Sequence, residues 1–413
     1  MTKRPHVALI VETSIHYGRQ ILRGVTRYLR SHQSWSVFLE QRELWTAPPA
    51  WLRKWRGDGV ICRKTTPEFA EMLSKAGVPL VDLNDCRPPM GAPRIESDHR
   101  AIGQLAADHL LERGFAHLAF CGFGDDEAFS KGRREGFVSR AAERGQSCSV
   151  WESPWNNPHG PGWEREQERL AKWLESLPVP LGLMACSDMR GQHVLDACQR
   201  LNRAVPEEIA VVGVDDDAVL CNLCHPPLSS VMPNPERVGY EAAALLDRLM
   251  SGDAAPTEPQ LIPPVGVQTR QSTDVLAIDD PAVTSVLRFI RERASHGCSM
   301  KDVLSHAAMS RSLLERKFRQ YLGHSPQAEI RSVQLKRVKQ LLAESDLLLT
   351  QIAGLAGYAH PEYMSVVFKR ETGQTPGQFR AASNPQFAGA TTGSTNGSNG
   401  KKVELASKIR VNA

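Results

Sequence analysis

Nowhere in its 413 residues does the chain gather the apolar run, roughly 18 residues long, that a membrane helix requires. Its first stretch, MTKRPHVALIVETS, is basic and then apolar in the manner of a signal peptide. The apolar part covers only about six residues, short of the roughly 7–15 of a signal h-region, and no small-residue cleavage site follows. It reads as a first β-strand, and the protein as cytoplasmic with no membrane partner. No Ser–His–Asp arrangement, glycine-rich phosphate loop or HExxH motif occurs. No catalytic residue, bound metal or cofactor is therefore expected, and the chain does not read as an enzyme. A disulfide framework is missing too: the nine cysteines are odd in number and scattered through apolar runs, as reduced buried thiols are. Cys221, Cys224 and His225 in CNLCHPP match the pattern of c-type haem attachment. That chemistry needs export, and without an export signal the match is read as coincidence. A second Cys/His pair at zinc-ligand spacing is also absent.

What is present exceeds one compact core, so two or three domains are expected. Charge divides the chain. Residues 281–380 carry 15 Lys and Arg against 8 Asp and Glu, whereas residues 1–280 carry 31 against 37. A basic C-terminal module joined to an acidic larger body points to a nucleic-acid contact at the basic end.

In the acidic body, short apolar runs alternate with amphipathic helical sequence. The runs are HVALIV (6–11), GVIC (59–62), VPLVDL (78–83), LAFCGF (118–123), LGLMAC (181–186) and IAVVGV (209–214). Such alternation predicts βαβ units with parallel sheets covered on both faces. Polar groups follow the strands: Glu12, Thr13 and Ser14 after the first, Asn84 and Asp85 after the third, Ser187 and Asp188 after LMAC, and Asp215, Asp216 and Asp217 after VVGV. Ligands of open α/β sheets bind outside these carboxyl ends, where carboxylates and amides suit a polyhydroxylated molecule. Each such residue also has a second reading as a helix cap. The three aspartates have a second reading as a hard-cation site.

The motif order resembles the periplasmic-binding-protein-like (type I) sensor of LacI-type repressors, from Val7 to about Gln271. The resemblance rests on ESDHRAIGQLAADHLLERGFAHLAFCGF (96–123), SKGRREGF (130–137) and the block from 182 to 231 that opens GLMACSDMRGQHVL. It implies two α/β lobes, about 1–97 with 233–265 and about 98–232, enclosing a small sugar. Arg133 then matches the arginine that reaches the sugar, Ser187 or Asp188 the polar pair after the fifth strand, and Asp215 the following aspartate. Asn84 and Asp85 fall at a further sugar-contacting position, Glu12 closes the first strand, and Tyr17 either stacks on the sugar ring or packs in the first helix. Two departures stand out. The family's leading helix-turn-helix is missing before the sensor, and Ser187 replaces the usual Asn, so the ligand's identity does not carry over.

The last third repeats itself. LLERKFRQYLGHSP (Leu313 to Pro326) and YMSVVFKRETGQTP (Tyr363 to Pro376) align Phe318, Gly323 and Pro326 with Phe368, Gly373 and Pro376. Before the first copy, Val303, Leu304 and Ala307 form one helical stripe, and Leu314, Phe318 and Leu322 form the next. Ser310 is placed as an N-cap between them. In the second copy Thr350 is placed as the cap, Gly357 as the turn and Pro361 as the first helical residue. Each copy is a helix, a tight turn and a helix. EIRSVQLKRVKQLLAES (329–345) joins them as one basic amphipathic helix. Two recognition helices about 34 Å apart on one face would meet successive major grooves of B-DNA.

This arrangement resembles the DNA-binding domain of the AraC family, over about residues 284–382, most closely in IAGLAGYAHPEYMSVVFKRETGQTPGQFR (352–380). Met364 stands where an aromatic is usual and Ala359 where serine is. By that resemblance Arg311, Ser312, Glu315 and Arg316 are the first recognition helix's exposed positions, and His360, Glu362, Ser365, Val366 and Lys369 the second's. Arg can bond guanine bidentately and Glu can accept from cytosine. Lys336, Arg337, Lys339 and Arg370 suit phosphates.

The combination resembles the xylose operon regulators. The expected architecture is a two-lobed α/β periplasmic-binding-protein-like sensor (1–275), a linker (276–283), an all-α AraC-type double helix-turn-helix domain (284–383) and a disordered Ser/Gly/Thr/Asn-rich tail (384–413). The expected function is sugar-responsive control of transcription, as an activator that binds operator DNA as a homodimer and engages RNA polymerase. The effector expected from the resemblance is xylose or a related monosaccharide. The alternative is a DNA-binding regulator whose sensor only dimerises or takes a non-sugar ligand.

Overall fold

The computed structural model describes residues 4–383, apart from 33, 42–49, 64, 84–90, 125–126, 154–161, 275–277, 279 and 346. Asn84, Asp85 and the tail from 384 thus lie outside the described residues. The chain divides into two compact units, Met1–Thr284 and Ser285–Ala413.

The first unit runs β1 (His6–Ile10), α1 (His16–Ser31), β2 (Ser36–Leu39), β3 (Gly59–Cys62), α2 (Pro67–Lys75), β4 (Leu80–Asp82), β5 (Ile95–Ser97), α3 (His99–Leu111), β6 (His117–Phe123), α4 (Ala128–Glu143), β7 (Cys148–Ser153), α5 (Trp163–Glu175), β8 (Leu181–Ala185), α6 (Asp188–Arg200), β9 (Ile209–Val214), α7 (Ala218–Leu223), β10 (Ser229–Met232), α8 (Pro235–Met250), β11 (Gln260–Ile262) and β12 (Gly266–Gln268). The second holds α9 (Pro281–Arg293), which spans the boundary and starts inside the stretch expected as linker, then α10 (Met300–Ala307), α11 (Arg311–Leu322), α12 (Pro326–Glu344), α13 (Leu349–Leu355), α14 (Pro361–Thr372) and α15 (Pro376–Ser383).

Two lobes make up the first unit. One carries the parallel sheet β2-β1-β3-β4, with the parallel pair β5–β11 joined to its edge by a bridge between Asp82 and Arg94. The other carries β12-β10-β9-β8-β6-β7, parallel except for β12. The chain passes from one lobe to the other after β5, after β10 and between β11 and β12. The strands β3, β8 and β9 are buried along their whole length, as strands covered by helices on both faces must be. Phe115, Phe120 and Phe137 fill the second lobe's core, each worth about 2–3 kcal/mol on burial. Close helix packing there depends on glycine: a Cβ on Gly103 of α3 would strike the Arg133 carbonyl, and one on Gly136 of α4 the Arg100 carbonyl. That contact sets the seat of α4, the helix that carries Arg133.

Among the described residues, the second unit's regular structure is all helix. Each repeat buries its phenylalanine completely, Phe318 in α11 and Phe368 in α14. Each ends on a left-handed glycine, Gly323 at φ 74° and Gly373 at φ 75°. Ser310 caps α11 through the Leu313 amide. Thr350 does not cap α13: the helix begins at Leu349, and the Gln351 side chain accepts from the Leu348 amide at 2.9 Å instead. A longer side chain thus reaches back to do what the sequence assigned to the hydroxyl. α12 packs against α11, α13 and α15 and contributes Val338 and Leu342 to the second repeat's core.

Candidate ligand site and nucleic-acid interface

In the first lobe the carboxyl ends of β1 and β3 bring two opposite charges together. Glu12 and Arg63, 4% and 7% exposed, form a buried ion pair. The Arg63 guanidinium lies 4.4 Å from the centre of the Tyr17 ring, and the Tyr17 hydroxyl meets Ser97 Oγ at 2.7 Å. Tyr17 therefore has a cation on one ring face and its hydroxyl engaged. Beside them Thr65 Oγ1 donates to buried Asp82 at 2.6 Å.

Across the β5–α3 crossing, His99 lies 6.3 Å from Phe129, ring to ring, and Phe129 lies 5.1 Å from the Arg133 guanidinium. Arg133, 3% exposed, donates to the Cys186 carbonyl at 2.5 Å and pairs with Asp215 at 3.3 Å. Asp215 stands at φ 110°, a backbone conformation that costs most side chains energy and that marks functional sites when held. Ser187 and Asp188 face inward. Ser187 Oγ caps α6 through the Arg190 amide, while Asp188 accepts from Ser230 Oγ at 2.6 Å and from the Asp217 amide at 2.9 Å. Burial, and next the charge of Asp215, hold the Asp188 carboxyl well above the usual carboxylate range. Asp188 thereby braces the 215–217 turn that presents Asp215.

Strand-end reasoning overlooked Arg63, which directly follows GVIC, and Arg190 on the first turn of α6. Arg190 is 1% exposed, bonds Glu166 and Ser153 at 2.8 Å each, and lies 4.3 Å from the Phe123 ring centre. Only the position of Arg63 directly after a strand was available as a signal; Arg190 falls inside a helix.

Each of these three buried arginines thus has a carboxylate partner: Arg63 with Glu12, Arg133 with Asp215, Arg190 with Glu166. The strand ends offer many hydrogen-bonding groups with compensated charge, a setting for a neutral polyhydroxylated ligand rather than an anion. Among the described residues no group of three or more His, Cys, Asp or Glu could hold a metal, and no helix is long and apolar enough to cross a membrane.

In the second unit the expected reading face is accessible. On α11, Arg311, Ser312 and Arg316 are exposed and Glu315 is half-buried, with Arg311 bonding Glu315 at 2.9 Å. On or just before α14, His360, Glu362, Val366 and Lys369 are exposed; Ser365 is half-buried and donates back to the Pro361 carbonyl at 2.8 Å. Lys336 is exposed, Arg337 half-buried and bonded to Gln340, and Arg370 exposed and paired with Glu371. Tyr363, 57% exposed beside Glu362, is a further accessible group that the sequence reading did not single out. Met364 is fully buried in the repeat's core, so it fills the aromatic's place by packing.

A ligand-sensing, two-lobed α/β domain followed by a duplicated helix-turn-helix defines a DNA-binding transcription regulator. Comparison with known proteins bears this out. The chain matches a periplasmic binding protein-like domain over residues 107–273, a helix-turn-helix domain over 303–382 and the XylR N-terminal domain over 6–87. It is 32% identical to the xylose operon regulatory protein of Haemophilus influenzae, over 91% of this chain and 97% of that one. To the protein of the same name in Escherichia coli K12 it is 33% identical, over 92% and 97%. The chain belongs to the family of xylose operon regulatory proteins. A solved structure of the xylose-binding transcription activator XylR superposes with a TM-score of 0.78 at 31% identity, covering 92% of this chain and 99% of that one.

Proposed function

We propose that the chain is a cytoplasmic, D-xylose-responsive activator. In this reading residues up to about 275 sense the sugar, residues 284–383 read operator DNA as a homodimer, and residues 276–283 connect them. Arg133 and Asp215 contact the sugar from the second lobe; Glu12 and Tyr17 line the first lobe's side, and Asn84 and Asp85, which follow β4 in the sequence, are assigned to the sugar as well. Arg311, Ser312, Glu315, Arg316, His360, Glu362, Ser365, Val366 and Lys369 face bases, and Lys336, Arg337 and Arg370 face phosphates. Activation implies contact with RNA polymerase.

The observation that carries the sugar reading is the Arg133–Asp215 pair, held at the strand ends on a backbone turn that Asp188 braces. A carboxylate and a guanidinium side by side can accept from one sugar hydroxyl and donate to its neighbour. Control then requires the sugar to favour one lobe arrangement over another, since equal affinity for both would shift nothing. Isothermal titration of the full chain with D-xylose, L-arabinose, D-ribose and D-glucose tests this. Binding of D-xylose is expected; silence across the panel would leave a sensor that only dimerises or takes a non-sugar ligand.

A further inference from the structure

A glutamine is buried in the middle of α12, where an apolar residue would fill the same space. Gln334 is 8% exposed, and its Nε2 donates to two carbonyls, Ala294 at 3.2 Å and Gly357 at 3.1 Å. Ala294 opens the short turn Ala294–His296 that leads from α9 toward α10 and so toward the first helix-turn-helix. Gly357 lies in the turn of the second, four residues before α14. One amide nitrogen therefore spends both of its protons on backbone, one on the segment that leads into the first repeat and one on the turn of the second.

The two turns also touch directly. Gly357 sits at φ 78°, and a Cβ there would run into the Ala294 carbonyl and approach the Gly297 amide nitrogen to 2.9 Å. Glycine at this position brings the backbones together, and Gln334 fixes the angle at which they meet.

We propose that Gln334 is a positioning residue that sets the spacing and phase between the two recognition helices α11 and α14. Apolar contacts around α12 are non-directional and tolerate repacking. An NH2 group with both hydrogens committed holds its two acceptors in one geometry. Burying an amide brings no stability that an apolar side chain would not; such groups are retained in helical cores where they specify register. The register at stake is that of two helices meant to enter successive major grooves, where one base pair of misplacement rotates a contact by about a tenth of a turn. The proposal rests on the reading that both helices contact one duplex.

The test uses the full chain and duplexes that it selects from a random-sequence pool in D-xylose. Footprinting first locates the contacted segments. Single base pairs are then inserted or deleted between them, and affinity is measured for the parent and for Gln334→Met, which keeps length and helix preference but has no donor. The parent should lose at least tenfold in affinity for each one-base-pair change. Gln334→Met should lose about threefold or less per change while keeping its helical circular dichroism. An undiminished spacing penalty in the variant, or an equal loss of affinity at every spacing, would overturn the proposal. If Gln334→Met loses its helicity, Gly357→Ala, which displaces the same contact, must give the relaxed spacing instead, and its failure to do so would likewise overturn the proposal. A parent footprint on a single groove would refute the two-groove reading itself, an outcome distinct from failure of the pin.

Discussion

Asp215 combines a carboxylate with a costly backbone, and two substitutions separate them. Asp215→Ala removes the carboxylate and keeps a side chain at φ 110°. Arg133 then stays buried, bonded to the Cys186 carbonyl but without its counter-charge. Asp215 is itself partly exposed, so the loss is set below that of a fully buried pair, at about 2 kcal/mol. Asp215→Gly suffers the same electrostatic loss but releases backbone strain of about 1–3 kcal/mol. Glycine's extra entropy in the unfolded chain returns about 0.5–1 kcal/mol of that. The glycine variant should therefore exceed the alanine variant by about 1 kcal/mol, read as a melting midpoint roughly 2–4 °C higher. Both should lose D-xylose alike, because each hydrogen bond to a charged acceptor is worth about 1.5–3 kcal/mol. Loss of that one bond weakens binding at least about tenfold. Both should keep DNA binding in the absence of sugar near the parent's level. Thermal melts and calorimetric titration decide. Sugar binding within tenfold of the parent by either variant would refute the contact, and equal melting points would refute the strain argument.

Other consequences follow from single residues. Arg311→Ala should relax base preference in a selection experiment, whereas Lys336→Ala should weaken all sequences alike and reduce the salt slope by about 1; exchanged phenotypes would mean that base and phosphate contacts are misassigned. Gly136→Ala should drive α4 from α3, costing about 1–3 kcal/mol in urea unfolding and weakening D-xylose binding through Arg133; an unchanged variant would contradict the close approach. Burial, helped by Arg113, holds His109 down at about 3 from its ordinary value near 6.5. Its folded form binds fewer protons than the unfolded chain between those values. Its contribution is whole above about 6.5 and is lost as pH falls toward 3, at about 1.4 kcal/mol per pH unit where the unfolded imidazole is charged. His109→Gln should flatten the slope of unfolding free energy between pH 6 and 5 by roughly that amount, and an unaltered slope would show the imidazole not to be its source.

How much was legible varied with what sets each element. The six central strands were visible because burial on both faces leaves continuous apolar runs, as in GVIC and IAVVGV. β2, β7 and β10 were not: SVFL is exposed along its length, CSVWES mixes exposed and buried residues, and β10 opens on two buried serines that only the packed lobe makes affordable. β11 and β12 are three residues each, too short for any period to register. The duplicated helices were legible from their spacing, down to the Ser310 cap; the Thr350 cap was not, because Gln351 competes for the same turn. At the candidate ligand site, strand-end position led to Glu12 and Asp215. It could not say that Arg63 neutralises the one and Arg133 pairs the other, since those partners are 51 and 82 residues away in sequence. Ser187 and Asp188 look alike in the sequence and differ in three dimensions, one capping a helix and the other bracing a turn.

The most direct measurement is the affinity of the full chain for a duplex it has selected, taken with and without saturating D-xylose, in the parent and in Asp215→Ala. A sensor that governs the duplicated helix-turn-helix should change the parent's dissociation constant at least about fivefold and leave the variant's unmoved. The same constant for the parent with and without the sugar, on a duplex it demonstrably binds, would contradict the account.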